Sequence, residues 1–332
     1  MPGGRVTLQD VADAAGLSKA ATSYALRGLK SSETTQQRVR AIATELGFTA
    51  NPAAQALAGG RTGLVAISAS LRDSWQQGLV SMMATTLRER GYAASIADVD
   101  ADPGLEATFI SSMRGNVDGV IALPTAPSGQ WWRDLDSATA VVAIGEPITA
   151  RAESTSVVFD NVLGVTTALN HLLQLGHRSV TMFSTTLATM PSRAIDSLAS
   201  RTASGLGLGL KMVTVPPSTN GARSVAAQLF AQDDRPTAAF CLSDSIAFGV
   251  YLAARDLKLT VPSDLSILGY DDNELAKIVD PPLSTFGWDE DAIVDATISA
   301  LIATLEAVPI GQTRFSPRFI ERSSTAPPPR AH

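Results

Sequence analysis

Apolar residues near the amino end recur at helical spacing. Leu8, Val11, Ala12 and Ala15 follow i, i+3, i+4, i+7, and Val39, Ile42, Ala43 and Leu46 repeat the stripe. Thr7 with Asp10 three residues on reads as a capping box, and Gly16 stops that helix. Ser18 caps a second helix that Gly28 ends. Thr22, Ala25 and Leu26 can face inward there, which leaves Lys19, Ala20, Ser23, Tyr24 and Arg27 on the outer face. Ser32 opens a third helix and Gly47 closes it. Two helices joined by a tight glycine turn, the second polar on its outside, form a helix-turn-helix layout. Such a second helix fits a major groove about 12 Å wide. The same periodicity also fits a generic three-helix bundle.

From Leu64 the pattern changes. Apolar runs at Leu64–Ala69, Tyr92–Ala97, Val117–Leu123 and Ala140–Ile144 predict strands, with helices at Trp75–Arg90 and Pro103–Arg114 between them. A second series places strands at Arg178–Ser184, Lys211–Val215, Thr237–Leu242 and Leu265–Tyr270. Its helices are Asn161–Leu175, Gly221–Ala231 and Ser243–Leu257. Strands alternating with helices predict parallel sheet, so the fold class is α/β with two doubly wound lobes. Ligands bind at the carboxyl ends of such strands, and each lobe offers its loops to a cleft between them.

The 332 residues are enough for two or three domains, and 45% apolar against 17% charged content builds a large core. The longest apolar runs fall far short of the ~20 residues that span a bilayer, and no secretory h-region follows the start. The single Cys241 excludes a disulfide scaffold and a Cys-based zinc site and fits a reducing cytoplasm. A net charge of −6 argues against nucleic acid until it is divided along the chain. Residues 1–61 carry seven basic residues (Arg5, Lys19, Arg27, Lys30, Arg38, Arg40, Arg61) against Asp10, Asp13, Glu33 and Glu45, a balance of +3, and the remainder carries −9. A basic head on an acidic body points to an anionic partner, although an ordinary solvated surface gives the same imbalance.

Val6-Thr7-Leu8-Gln9-Asp10-Val11-Ala12, followed by Ala15-Gly16-Leu17-Ser18-Lys19-Ala20, resembles the start of the LacI/GalR family of bacterial transcription regulators. The family pattern runs V-T-[IL]-x-D-V-A-x-x-A-G-V-S-x-x-T-V-S-x-x-L-N. Ser23 and Leu26 fit it; Ala21, Thr22 and Arg27 depart from it. Thr22 puts a hydroxyl into the small core, where the backbone four residues earlier is expected to satisfy it. Asn51-Pro52-Ala53-Ala54-Gln55-Ala56-Leu57-Ala58-Gly59 resembles the family's hinge helix. Asn51 caps, Pro52 sits at the first turn, and a helix that short needs a dimer mate and DNA to hold it. The resemblance makes Leu57 a minor-groove wedge; the alternative is a buried contact with the body. It further implies that Thr7, Leu8, Ser18, Lys19, Ala20, Ser23, Tyr24, Arg27, Asn51, Ala54 and Leu57 meet DNA. Two heads of a homodimer would then read a pseudo-palindromic operator in double-stranded DNA.

The resemblance continues through the body. Asp160-Asn161 with Gly164, then His171-Leu172-Leu173 and Leu175-Gly176-His177-Arg178, is similar to D-N-x-x-G…H-L-[IL]-x-L-G-H-[RK]. Asp244 with Ala247 and Gly249 resembles D-x-x-A-x-G. Val261-Pro262 through Gly269-Tyr270-Asp271-Asp272, Pro282–Thr285 and Arg322–Thr325 match further family stretches. The family implies a small effector in the cleft, a sugar or related polyol by preference, with operator affinity coupled to its binding. The residues it points to are Trp75, Glu146, Arg193, Ser243, Asp271 and Trp288. Arg193 suits a hydroxyl-rich or anionic ligand, or alternatively pairs with Asp196. Trp288 stacks on a sugar face or packs the core at the lobe crossover. Asp196, Trp75 and Glu146 stand where the family carries other residues, which leaves the effector unidentified.

An enzyme is not expected. No G-x-S-x-G elbow, Walker A or G-x-G-x-x-G occurs, and His177-Arg178 reads as a positively charged helix end rather than a base. Asp271-Asp272 has no second ligand cluster nearby, so no metal and no cofactor are expected. A periplasmic sugar-binding protein shares the two lobes but needs a signal peptide and no helix-turn-helix. The expected organisation is a DNA-binding head at 1–50 and a hinge helix and linker at 51–61. An amino-side lobe at 62–160 plus 291–323, a carboxyl-side lobe at 161–290 and a flexible tail at 324–332 follow. No tetramer-forming heptads follow Ser323, and the expected location is the cytoplasm.

Overall fold

The computed structural model describes residues 6–26, 30–48, 61–185, 194–216, 218–232 and 234–329. The chain divides into two compact units, Met1–Thr62 and Gly63–His332.

The first unit holds α1 (Leu8–Ala15), α2 (Lys19–Leu26) and α3 (Glu33–Glu45). Its ends are closed by local chemistry. The Thr7 hydroxyl accepts the Asp10 amide, the Thr7 amide donates to the Asp10 carboxylate at 2.7 Å, and Gly16 ends α1 at φ +64°. A residue with a side chain is strained at that φ, which is why glycine stops the helix there. Ser18 caps α2 through the Ala21 amide, and Ser32 caps α3 through the Thr35 amide. The core is small: Val11, Ala15, Ala25, Val39 and Ala43, with Val6, Leu17, Leu26, Ile42 and Phe48 packed around them. Arg38 on α3 donates to the Ala15 carbonyl at 2.8 Å and ties the third helix to the end of the first. Thr22 is fully buried, but its hydroxyl has no hydrogen-bond partner among the described residues. The Ser18 carbonyl, expected to satisfy that hydroxyl, instead receives the Thr22 backbone amide at 2.9 Å.

The second unit is built on two parallel sheets. The first runs in the order β11-β5-β4-β3-β1-β2, from β1 (Leu64–Ala69), β2 (Ala93–Asp98), β3 (Gly119–Ala122), β4 (Ala140–Gly145), β5 (Thr155–Phe159) and β11 (Thr313–Phe315). The second runs β7-β6-β8-β9, from β6 (Ser179–Thr185), β7 (Gly209–Val215), β8 (Ala238–Cys241) and β9 (Ser266–Leu268). Every pairing in both is parallel. Central strands β3 and β8 are buried along their whole length because helices cover both faces, so their sequences read as continuous apolar runs. The helices α4 (Ser74–Glu89), α5 (Pro103–Met113), α6 (Trp131–Asp134) and α11 (Glu290–Leu305) belong with the first sheet, whose core includes Ile67, Leu79, Met83, Leu87 and Leu301. The second sheet is flanked by α7 (Asn161–Gln174), α8 (Ala194–Gly205), α9 (Thr219–Phe230) and α10 (Asp244–Asp256). Gly249 lets α10 approach α9, since a Cβ there would overlap the Thr219 carbonyl and the Ala222 side chain.

The carboxyl-terminal stretch departs from the expected layout. β12 (Arg318–Ile320) pairs antiparallel with β10 (Thr285–Gly287), which precedes α11. Ser324 to Ala326, placed in a flexible tail by sequence, are docked on the second sheet. The Ile267 amide donates to Ser324 at 2.8 Å, and the Ala326 carbonyl accepts from the Ser266 hydroxyl at 2.9 Å. His177 is buried behind this stretch, with its ring nitrogens within 2.9–3.1 Å of the Thr237 and Ser266 hydroxyls and the Ala326 carbonyl. Burial holds its pKa below the ordinary histidine value, so the expected positive helix end is a neutral strap instead. Gly176, at φ +102°, makes the turn after α7. His171 braces the same segment through the Thr325 hydroxyl at 3.0 Å and the Phe319 ring.

Candidate functional site

In the first unit, α2 sorts its side chains as the periodicity predicts. Thr22 and Ala25 are fully buried, whereas Lys19, Ala20 and Tyr24 are exposed and Ser23 is half-buried. Thr7 and Ser18 are exposed at the amino ends of α1 and α2, and Leu8 is half-buried. Lys30 sits over the Tyr24 ring, its nitrogen 5.2 Å from the centroid, and adds a cation beside the exposed face of α2. Arg27, Asn51, Ala54 and Leu57 lie outside the described residues. So does Arg193.

In the second unit a cavity of about 250 Å³ opens between the carboxyl ends of the two sheets. Five of the expected ligand residues line it: Trp75, Glu146, Ser243, Asp271 and Trp288. Each arrives by the same logic, because each follows a strand end. Trp75 enters on the first turn of α4, which Asp73 caps through the Gln76 amide at 2.9 Å. Glu146 follows Gly145, which ends β4 at φ +90°. Ser243 caps α10 after β8. Asp271 follows β9 with φ +110°, an uncommon backbone for a residue with a side chain, held by its amide bond to the Phe286 carbonyl at 2.6 Å.

The walls are aromatic. Trp75 meets Phe159 edge-on at 5.6 Å, Phe159 meets Trp288 at 4.5 Å, and Trp288 meets Tyr270 edge-on at 5.8 Å. Trp288 therefore both packs the lobe crossover and faces the cavity, which unites its two sequence readings. Cross-lobe hydrogen bonds close the rim: Asn273 Nδ2 donates to the Ser74 hydroxyl at 2.7 Å, and Ser74 lies 3.2 Å from the Ser245 hydroxyl.

Three acids, Asp73, Glu146 and Asp271, stand among neutral polar lining residues such as Ser70, Gln76 and Asn161. Burial raises the Asp271 pKa well above the ordinary carboxylate value, and the charges of Asp73 and Asp244 push it further. Asp244, next to Ser243 at the start of α10, is buried and does not line the cavity. It accepts from the Thr285 hydroxyl at 2.6 Å and the Asn273 amide at 2.7 Å, and burial lifts its pKa to about 7. Asp272 is engaged elsewhere, in an ion pair at 2.5 Å with Arg322, which also donates to the Leu283 carbonyl at 2.7 Å. On the other lobe, Glu106 is fully buried and receives the Thr125 and Ala126 amides at 2.9 and 3.2 Å. It fixes the loop that forms one wall. No group of three or more potential metal ligands occurs among the described residues.

The sequence matches two family profiles. Bacterial regulatory proteins of the lacI family match residues 7–51, and the periplasmic binding protein-like domain matches residues 169–325. The ribose operon repressor of Escherichia coli (strain K12) is 28% identical over 332 residues, spanning 96% of this chain and 99% of its own. The chain belongs to the LacI/GalR family of bacterial transcription regulators. The HTH-type transcriptional repressor PurR of Klebsiella pneumoniae (strain 342) is 24% identical, over 97% of this chain and 98% of its own. The lac repressor dimer bound to operator and an anti-inducer shares the fold at a TM-score of 0.81 and 21% identity, covering 97% of this chain and all of that one. A LacI family regulator from Enterococcus faecium with bound ribose gives 0.70 at 20% identity, covering 80% of this chain and 99% of that one. These relatives are regulators rather than enzymes. No helix among the described residues of the regulator is long and apolar enough to cross a membrane.

Sequence reasoning missed Asp73, Phe159 and Tyr270 as cavity residues. Position after a strand was the available signal for Asp73 and Tyr270. Phe159 carried none, because β5 was not predicted.

Proposed function

We propose that this protein is a sequence-specific DNA-binding repressor whose operator affinity responds to a small polyol or sugar bound between the two sheets of its body. The observation that carries this reading is the pairing in one family member of an exposed α2 face with a cavity at two sets of strand ends. Lys19, Ala20, Ser23, Tyr24 and Arg27 would face base edges in the major groove, with Thr7, Leu8 and Ser18 positioning the head on phosphates. Asn51, Ala54 and Leu57 would form the hinge contact in the minor groove. Two copies would read the two half-sites, and such a regulator works in the cytoplasm, where its DNA is.

In the cavity, Asp271, Glu146 and Ser243 would accept or donate hydrogen bonds to hydroxyls, Trp75 and Trp288 would take the apolar face of the ring, and Arg193 would add a donor fork. Ligand binding would then favour one arrangement of the two lobes, a coupling on the order of 1–3 kcal/mol between cavity and DNA. The test is operator titration at several salt concentrations. The expected result is a steep loss of affinity with salt, a large further loss for Leu57→Ala, and an effector response that Asp271→Ala abolishes while operator binding persists. Salt-insensitive binding that survives Leu57→Ala would overturn the reading.

A further inference from the structure

We infer that Ser74, Asn273 and Ser245 form a polar latch that holds the two lobes of the body together beside the cavity. The latch deepens the regulatory reading, on which it rests, because two arrangements of the lobes need something that sets the balance between them. Ser74 is the first residue of α4, on the lobe of the first sheet. Asn273 follows Asp271 and Asp272 after β9, and Ser245 lies in the first turn of α10, both on the lobe of the second sheet. Asn273 Nδ2 donates to the Ser74 hydroxyl at 2.7 Å, and that hydroxyl lies 3.2 Å from the Ser245 hydroxyl, across 199 and 171 residues of chain. A serine hydroxyl accepts and donates at once, so one side chain on the first lobe serves two on the second. All three partners are protein groups, so the latch closes without a bridging ligand. Ser74 and Asn273 also line an adjoining space of about 680 Å³ that shares Trp75, Asp271 and Trp288 with the cavity, which puts the latch next to the ligand site.

The half of the latch on the second lobe is held rigidly. Asn273 Oδ1 accepts the Leu275 amide at 2.9 Å, which fixes the side-chain amide and leaves Nδ2 for Ser74. The Asn273 backbone amide donates to Asp244 at 2.7 Å, and the other oxygen of that buried carboxyl accepts from the Thr285 hydroxyl at 2.6 Å. Thr285 opens β10, the strand just ahead of the crossover to α11, so Asp244 ties the latch loop to the lobe crossover. Asp271 and Asp272 stand at φ +110° and +54°, a backbone that persists only where such bonds hold it. The Ser245 carbonyl accepts the Thr219 hydroxyl at 3.2 Å, which joins α10 to α9 at the same place. One hydrogen bond of this kind shifts an equilibrium by about 2- to 10-fold, so the pair favours closed lobes by about 10-fold.

The test reads lobe parting by thiol labelling of the full-length protein with a bulky fluorescent maleimide and no sugar added. Ser70→Cys places a reporter on the first lobe, at a buried position that borders the cavity. Cys241, buried in the core of the second sheet with its thiol pKa raised by that burial, is the internal control for global unfolding. Asn273→Ala and Ser245→Ala, both on the opposite lobe, are each expected to speed labelling of the reporter, by about 10-fold when combined, with Cys241 unchanged. Ser74→Ala alone is expected to match that pair and to add nothing when combined with it. Ser74→Thr, which keeps the hydroxyl, should label at the parent rate. One labelling rate in all variants overturns the latch. So does acceleration that Cys241 shares, or a reporter that already labels as fast as a free cysteine before any latch residue is changed. Operator titration separates the latch from the regulatory reading. Faster labelling in Ser74→Ala with unchanged operator affinity would keep the latch and sink the coupling of the lobes to DNA. Unchanged labelling with altered operator affinity would do the reverse.

Discussion

The head and the body of this regulator are stabilised in different ways. The head gathers three helices around two valines and three alanines, and its definition comes from contacts three to five residues apart: the Thr7–Asp10 box, the Gly16 turn, and the Ser18 and Ser32 caps. The body buries Ile67, Leu79, Met83, Trp132, Phe183 and Phe240 between residues far apart in the chain. It also buries carboxylates, Glu106 and Asp244, which backbone amides and a hydroxyl hold in place. A small core leaves local devices in charge of stability. A large core can carry the cost of polar groups that shape a site.

The largest expected effect tests the body's reliance on packing. Trp132 is fully buried and donates its indole N–H to the Ala126 carbonyl at 3.0 Å. Trp132→Ala should destabilise the body by about 3–5 kcal/mol, read by denaturant unfolding, and loosen the cavity loop that begins at Pro124. A loss below about 1 kcal/mol would mean the body is not governed by its core.

The next effect is a pH dependence confined to the body. The Asp244 pKa rises from the ordinary 3.8 to about 7 in the folded chain. Between those values the folded chain holds a proton that the unfolded chain has released, so this group's contribution falls as pH rises through the window. The slope is on the order of 1 kcal/mol per pH unit, and Asp244→Asn should flatten it in unfolding curves taken from pH 4 to 7. His171 and His177, both held below the ordinary histidine value by burial, work in the opposite direction as pH falls below 6.5. The difference between Asp244→Asn and the parent chain isolates the carboxyl.

In the head, Thr22→Val removes a buried hydroxyl without a partner at nearly constant volume. It should stabilise the head by about 1–2 kcal/mol, seen as slower amide exchange in α2 and α3. Destabilisation would show that the hydroxyl is satisfied in solution. The smallest effect is Thr7→Ala, which removes the hydroxyl half of the capping box. A loss of about 1 kcal/mol is expected, with exchange accelerating in the first turn of α1 and no change in the body's transition.

Much of this was legible beforehand, and the reasons are local. The strand at Leu64–Ala69 coincides with β1, and the helix predicted at Pro103–Arg114 ends one residue later than α5. Those elements carry their own signals: an unbroken apolar run between turns, or a cap followed by proline at the first turn. β5 went unseen because it opens on Thr155 and Ser156 and leaves an apolar run of only three residues, Val157 to Phe159, and its partners β4 and β11 lie elsewhere in the sequence. α8 packs through Ile195, Leu198, Ala199 and Ala203, a stripe that is half alanine and set among three serines, so its helical period went unread. Ser324 to Ala326 run directly into Pro327–Pro329 and so read as tail, and their partners, Ser266, Ile267 and His177, are more than 50 residues away.

The sequence by itself determined the head's three helices, their caps and outer face, the alternation of strands and helices in the body, and the loops that would reach the cleft. These depend on periodicity and on chemistry within a few residues. Only the tertiary structure decided that His177 is a neutral strap, that Asp272 is committed to Arg322, and that Asp73, Glu146 and Asp271 share one aromatic-walled space. Burial and charge at a site are sums over neighbours from distant segments. No window of sequence contains them.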